Sequence, residues 1–357
     1  MSWGLHKANF DIICGLDNWK PAIDTFQKNH PDAKTYLGDI REYDPKQIRK
    51  DLGLKKGELD CIVGGPPCQG FSKNVPSSYR FLEDPRNQLY KDYIRFVEEF
   101  QPKCVVIENV AEIYNAFNGV VREQIISQLN ALGYKVAVKV LFAPDYGVPQ
   151  RRSRCFFIAC RTGKTPWFPE PTHSKSGNSD LLDPKPKYVS AWEAINDLPE
   201  LENGEGSLEM EYSQPAKNEF QKFMRKDSDI LHDHITRPLK GVQLQRMQSI
   251  KAGQGIKDLP AEIRPKGGYS GAYGRLDFEN VAPTVTRWCF HPGSGRYGHP
   301  KNARVITTRE AARLQCFTDD FVFTGTFMEK AAQIGNAVPS LFMYHISKVL
   351  KDLLNIK

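Results

Sequence analysis

The stretch DCIVGGPPCQGFS, residues 60–72, breaks an apolar run into two glycines and two prolines just ahead of a cysteine. Residues 60–63 read as a short buried strand, and Gly64, Gly65, Pro66 and Pro67 are its stop signal. The prolines fix φ and offer no N–H to a ladder, so the chain leaves the sheet as a stiff loop. The glycines allow backbone or ligand to approach closely. Cys68 is therefore expected on a rigid loop at the C-terminal edge of a strand, where open α/β sheets bind their ligands. A nucleophile needs such a place. A small buried thiol behind a turn is the plainer alternative, and the commoner one for a lone cysteine.

Outward from this loop, strand-like and helix-like segments alternate. Residues 10–16, 33–37, 104–107, 134–141 and 155–159 read as extended; residues 21–28, 87–100 and 120–132 read as helices. Such alternation predicts βαβ units and a doubly wound, mostly parallel sheet. Composition shifts near Gly163: residues 165–206 are rich in Pro, Ser, Asn and charge, and residues 207–265 are polar and helix-leaning. Turn-rich segments with short β runs follow to about residue 305, then helical stretches at 308–314 and 340–354. The expected organisation is a catalytic and cofactor-binding domain over 1–162, a smaller irregular α+β domain over 163–325, and a helical segment, 326–357, that returns to the first domain.

The chain has 357 residues, 40% of them hydrophobic, enough for a sizeable core. A mean hydropathy of −0.50 and the lack of a long apolar run argue against membrane spans. MSWGLHKANFDIICG has no secretory pattern, so a cytoplasmic place is expected. Eight cysteines include no C-x-x-C pair, which points to reduced thiols rather than disulfides or zinc. His232 and His234, alone at i, i+2, do not make a metal site, and no metal is expected. The net charge of +7 suits a polyanionic partner and equally suits ordinary solvated lysines and arginines.

Three constellations carry chemistry. Asp17 and Asp39 each follow a strand-like run, where an acid can take a ribose diol or an adenine amine. CVVIENV, residues 104–110, ends an apolar strand in Glu108, a carboxyl group suited to a raised pKa and to proton donation onto a heterocycle. DYGVPQRRSR, residues 145–154, sets three arginines before a strand. Period-two geometry puts Arg152 and Arg154 on one side, suited to phosphate or carbonyl oxygens.

GGPPCQGFS, ENV, QRRSR and QIGNAVP (333–339), in this order, resemble the motif set of the cytosine-5 DNA methyltransferases of bacterial restriction–modification systems. DPRNQLY (84–90), YGRLDFENVAPTVT (273–286) and REAARLQCFTDDF (309–321) extend the resemblance over nearly the whole chain. It implies S-adenosylmethionine as cofactor and duplex DNA as substrate, with a cognate restriction nuclease as a partner in function only. It implies Cys68 as nucleophile on carbon 6 of a flipped cytosine, Glu108 on ring nitrogen 3 and the amine, and Arg152 and Arg154 on the base carbonyl and a neighbouring phosphate. On the cofactor it places Asp17, Asn18, Asp39, Ile40, Pro67, Leu89 and Asn336. On DNA it places Gln69, Ser72 and Lys73 from a closing loop, and Arg237, Arg246, Arg287 and Arg296 from the smaller domain. A tRNA substrate and a non-enzymatic DNA-binding remnant are the rival readings.

The family's opening F-x-G-x-G-G turn has no counterpart here, since MSWGLHKANF resembles the segment after it. The first strand of the sheet is therefore expected to be missing, leaving its two neighbours with unpaired backbone groups and cofactor binding weak.

Overall fold

The computed structural model describes residues 1–67, 89–178, 182–268 and 270–356; Cys68, Gln69, Ser72 and Lys73 lie outside these. The first half runs α1 Ser2–His6, β1 Cys14–Asp17, α2 Lys20–Asn29, β2 Lys34–Leu37, α3 Pro45–Asp51, β3 Cys61–Gly64, α4 Leu89–Phe100, β4 Cys104–Val110, α5 Val120–Ala131, β5 Lys135–Phe142 and β6 Ser153–Cys160.

The apolar run of β4 has no polar face, and the chain buries both sides of it. Val105 and Ile107 point to a layer made by Tyr93 and Val97 of α4 and Ile125 and Leu129 of α5. Cys104 and Val106 point the other way, into the larger core. This is the pattern of a strand covered on both faces. The strand order is β3-β4-β6-β5. β3 runs parallel to β4, with Cys61 opposite Cys104, whereas β6 runs antiparallel to both β4 and β5. This sheet is thus mixed rather than mostly parallel. The cause is the link 143–152 between β5 and β6, shorter than the dozen or more residues that a parallel crossover needs.

β1 and β2 form a separate parallel pair, with Cys14 opposite Lys34. Among the described residues, no strand joins β1 to β3. Residues 14–16 and 61–64 are accordingly half-buried, while residues 104–107 of β4 have no exposure.

The second half runs α6 Ala191–Ile195, β7 Gly206–Glu211, α7 Glu219–Arg225, β8 Ile230–Ile235, α8 Gly241–Gln248, α9 Thr308–Leu314, α10 Phe327–Asn336 and α11 Ser340–Leu354. β7 and β8 pair antiparallel around α7. Capping boxes start α6 (Ser190 with Glu193), α9 (Thr307 with Glu310) and α10 (Thr326 with Glu329), each satisfying two orphan donors. α9 is buried throughout, including its two arginines. Arg313 is held by Asp197 and Asp319, and Arg309 donates to the carbonyls of His232, Thr318 and Phe321. Charges this deep persist only when so partnered. His234 is likewise absorbed, bonded to Thr307 Oγ1 and Pro199 O.

α11 is the helix expected at 340–354. Phe342, Ile346, Val349 and Leu353 bury it in the larger core, and Phe342 meets Phe156 of β6 edge-on at 5.4 Å. α1 packs on α11 so closely that a Cβ at Gly4 would lie 2.1 Å from Ser340 O. No helix among the described residues is long and apolar enough to cross a membrane.

Candidate active site

β4 delivers Glu108 and Asn109 at the end of its apolar run, and β6 starts beside them, with Arg154 opposite Val110. The Arg154 guanidinium Nε lies 2.7 Å from Glu108 Oε1, and both side chains are largely buried. Burial raises the Glu108 pKa from its ordinary value; Arg154 and then Arg152 oppose that rise. The loop after β3 closes over this pair. A Cβ at Gly65 would sit 2.9 Å from Glu108 Oε2, so a side chain there would push the carboxylate out of place. Asn109 Nδ2 donates to Pro66 O at 3.0 Å, which pins the Pro-Pro turn to the end of β4. Pro67 is the last described residue before Cys68.

These groups line a cavity of ≈ 1090 Å³. Its walls include Asp17, Asn18 and Trp19 from the end of β1, the turn Gly65–Pro67, and Asn336 at the C-terminal end of α10. Phe317, Phe321 and Phe323 give it an apolar flank. Asp17 opens onto the cavity but is walled by protein elsewhere. That burial raises its pKa, against the backbone N–H groups of Trp19 and Asn18; the former lies 2.9 Å from Oδ1. A carboxylate, an amide and aromatic surface in one roomy cleft fit a nucleoside-bearing cofactor.

Of the residues singled out in the sequence, this cavity gathers Asp17, Asn18, Pro67, Glu108, Arg154, Arg287 and Asn336. Asp39 is not on its wall. Arg41 binds both Asp39 oxygens, at 2.9 and 2.5 Å, and these bonds lower its pKa to about 2. Ile40 opens the short turn after it, with its carbonyl taking Arg95 Nη2, and Leu89 starts α4. Arg152 is buried and turned inward, donating to Val285 O at 3.1 Å and Gly335 O at 3.3 Å. Burial, then the neighbouring Arg154, lowers its pKa to about 9. Arg237, Arg246 and Arg296 donate to the carbonyls of Phe290, Ile263 and Gly253, and Arg246 also stacks on Tyr273.

Two further residues, one on the cavity wall and one behind it, were not singled out in the sequence. Trp19 has only its place two residues after Asp17 to mark it. Gln150 is fully buried, donating to Leu314 O and Gln315 Oε1 and accepting from Val285 N. It holds the strap 282–288 against the segment that leads into β6. Ala282 N donates to Pro149 O, and Arg151 N to Ala282 O. Among the described residues no cluster of three metal-ligating side chains exists.

The family model of the C-5 cytosine-specific DNA methylases matches residues 1–352. The chain belongs to this family and is a DNA (cytosine-5)-methyltransferase. Type II methyltransferase M.AgeI of Thalassovita gelatinovora is 31% identical over 98% of this chain and 96% of its own. Type II methyltransferase M1.HphI of Haemophilus parahaemolyticus is 34% identical over 98% of this chain and 83% of its own. A crystal structure described as a DNA modification methyltransferase encoded within a prophage (E. coli) superposes with a TM-score of 0.77 at 26% identity, covering 99% of this chain and 96% of that one.

Proposed function

We propose that this chain methylates cytosine in duplex DNA by covalent catalysis from Cys68. Carbon 5 of cytosine is a weak nucleophile. A bond from the Cys68 thiolate to carbon 6 makes carbon 5 enamine-like, and loss of the carbon-5 proton after methylation expels the thiolate again. Asp17, Asn18, Pro67 and Asn336 would hold S-adenosylmethionine, which would supply the methyl group and leave as S-adenosylhomocysteine. Glu108, whose pKa burial raises, is suited to donate a proton to ring nitrogen 3 as charge builds on the base. Arg154 holds the Glu108 carboxyl in place and offers its remaining N–H groups to the base carbonyl. The target atoms lie within the stack, so the base is flipped into the cavity.

The observation that carries this reading is convergence. The turn ahead of Cys68, the Glu108–Arg154 pair and Asp17 come from the ends of four strands, β3, β4, β6 and β1, and line one cavity. In the expected test, Cys68→Ser forms no covalent complex with DNA containing 5-fluorocytosine, while the wild type does. Labelled methyl transfer to DNA and to tRNA, side by side, decides the substrate.

Residues 163–325 are read as the target-recognition region over a catalytic part, 1–162, rejoined by 326–357. The two type II relatives support a role in protecting DNA from a restriction nuclease, in the cytoplasm at the nucleoid. We also read the two sheets as halves of one doubly wound sheet, with one strand position between β1 and β3. Both facing edges line the same cavity, which supports that reading.

A further inference from the structure

We propose that Arg151, rather than Arg152, is the residue of the QRRSR run that grips DNA, by holding a phosphate of the target strand beside the flipped cytosine. This rests on the reading of the cavity as a methyltransferase site and adds a contact outside it. The run alternates: Gln150 and Arg152 are buried, whereas Arg151 is exposed. The Arg152 guanidinium is spent on Val285 O and Gly335 O. Arg151 has no side-chain partner among the described residues, yet its backbone is clamped on both sides. Its N–H donates to Ala282 O at 2.7 Å, and its carbonyl accepts from Thr284 Oγ1 at 2.6 Å.

The clamp fixes where the exposed Arg151 side chain starts, so its guanidinium can meet an anion at that point without any movement of the backbone. Its position fixes what the anion is. The strap that clamps it continues to Arg287, which lines the cavity, and to Trp288, half-exposed beside it with the Arg287 guanidinium 5.4 Å from the ring. Val285 of the strap and Cys289 and Phe290 just after it are buried, so the strap turns its cationic and aromatic side chains outward together. A cation on the wall of that ≈ 1090 Å³ cavity, with an aromatic ring next to it in the chain, suits a sugar–phosphate backbone whose base has left the stack.

The test uses the full chain with unmethylated genomic DNA fragments and, separately, mixed-sequence duplexes. Arg151→Gln raises KM for DNA about tenfold and reduces the slope of log affinity against log salt by about one, equally on all sequences. Arg151→Lys, which keeps the charge, restores the slope. A single methylphosphonate in the strand, placed at the gripped phosphate, makes wild type and Arg151→Gln equal. An unchanged salt slope in Arg151→Gln, or a fall in kcat with KM unmoved, overturns the assignment. If the wild type itself transfers no methyl group to DNA, it is the underlying functional reading that fails.

Discussion

Glu108 shows how one residue's surroundings set its chemistry. In solution its carboxyl group would be ionised well below neutrality. Burial at the end of β4 moves that transition upward, and Arg154 only partly offsets it. The folded chain therefore binds the Glu108 proton more tightly than the unfolded chain. The resulting stability is fully present below the ordinary glutamate value of about 4.3 and is lost as pH rises through the higher folded value. Glu108→Gln is neutral at every pH. Its melting temperature relative to wild type should rise as pH rises from the ordinary glutamate value through the higher folded one. A difference independent of pH would show that Glu108 does not titrate there. The variant should also lose methyl transfer, by about a hundredfold or more, because glutamine has no proton to give.

At the scale of elements, α10 and the strap 282–288 touch without any space between them. A Cβ at Gly335 would lie 2.1 Å from Arg287 N and 2.2 Å from Thr286 C, both backbone atoms that cannot swing aside. Gly335→Ala should cost about 1–3 kcal/mol in urea unfolding. It should also weaken DNA binding, because the strap carrying Arg287 must shift. The two sheet edges give a second expectation. Amides of residues 14–17 and 61–64 should exchange with solvent faster than those of 104–107 and 155–159, which are paired on both sides. Equal protection of both sets would argue against an open strand position between β1 and β3.

Across the whole molecule, the irregular region is tied to the sheet by buried charge as well as by apolar packing. Arg313 of α9 reaches Asp197, just after α6, and Asp319, with Nη2–Oδ2 of Asp319 at 2.6 Å and no exposure on any of the three side chains. Asp197→Ala leaves Arg313 short of a partner and should cost about 3–5 kcal/mol in urea unfolding. An added Arg313→Met should recover part of that loss, since the uncompensated charge goes with it. If the double variant is as unstable as the sum of the two single ones, the groups do not act as a unit.

Much of this architecture was legible in the sequence. The apolar runs at 104–107 and 155–159 had only one physical outcome, burial on both faces, and they became β4 and β6. GGPP stopped a strand because glycine and proline act locally, whatever surrounds them. Glu108 and Arg154 were legible because each stands at the end of such a run. What the sequence could not decide was the direction of long side chains. Period two placed Arg152 beside Arg154, but the carbonyls of Val285 and Gly335 drew its guanidinium inward, and they come from more than a hundred residues away. The pairing of Asp39 with Arg41, two residues on, was not legible either, since a strand-end acid can equally face a ligand. The reversal of β6 is likewise a tertiary fact. Strand pairing is settled between segments distant in the chain, where local pattern carries no information on partner or direction.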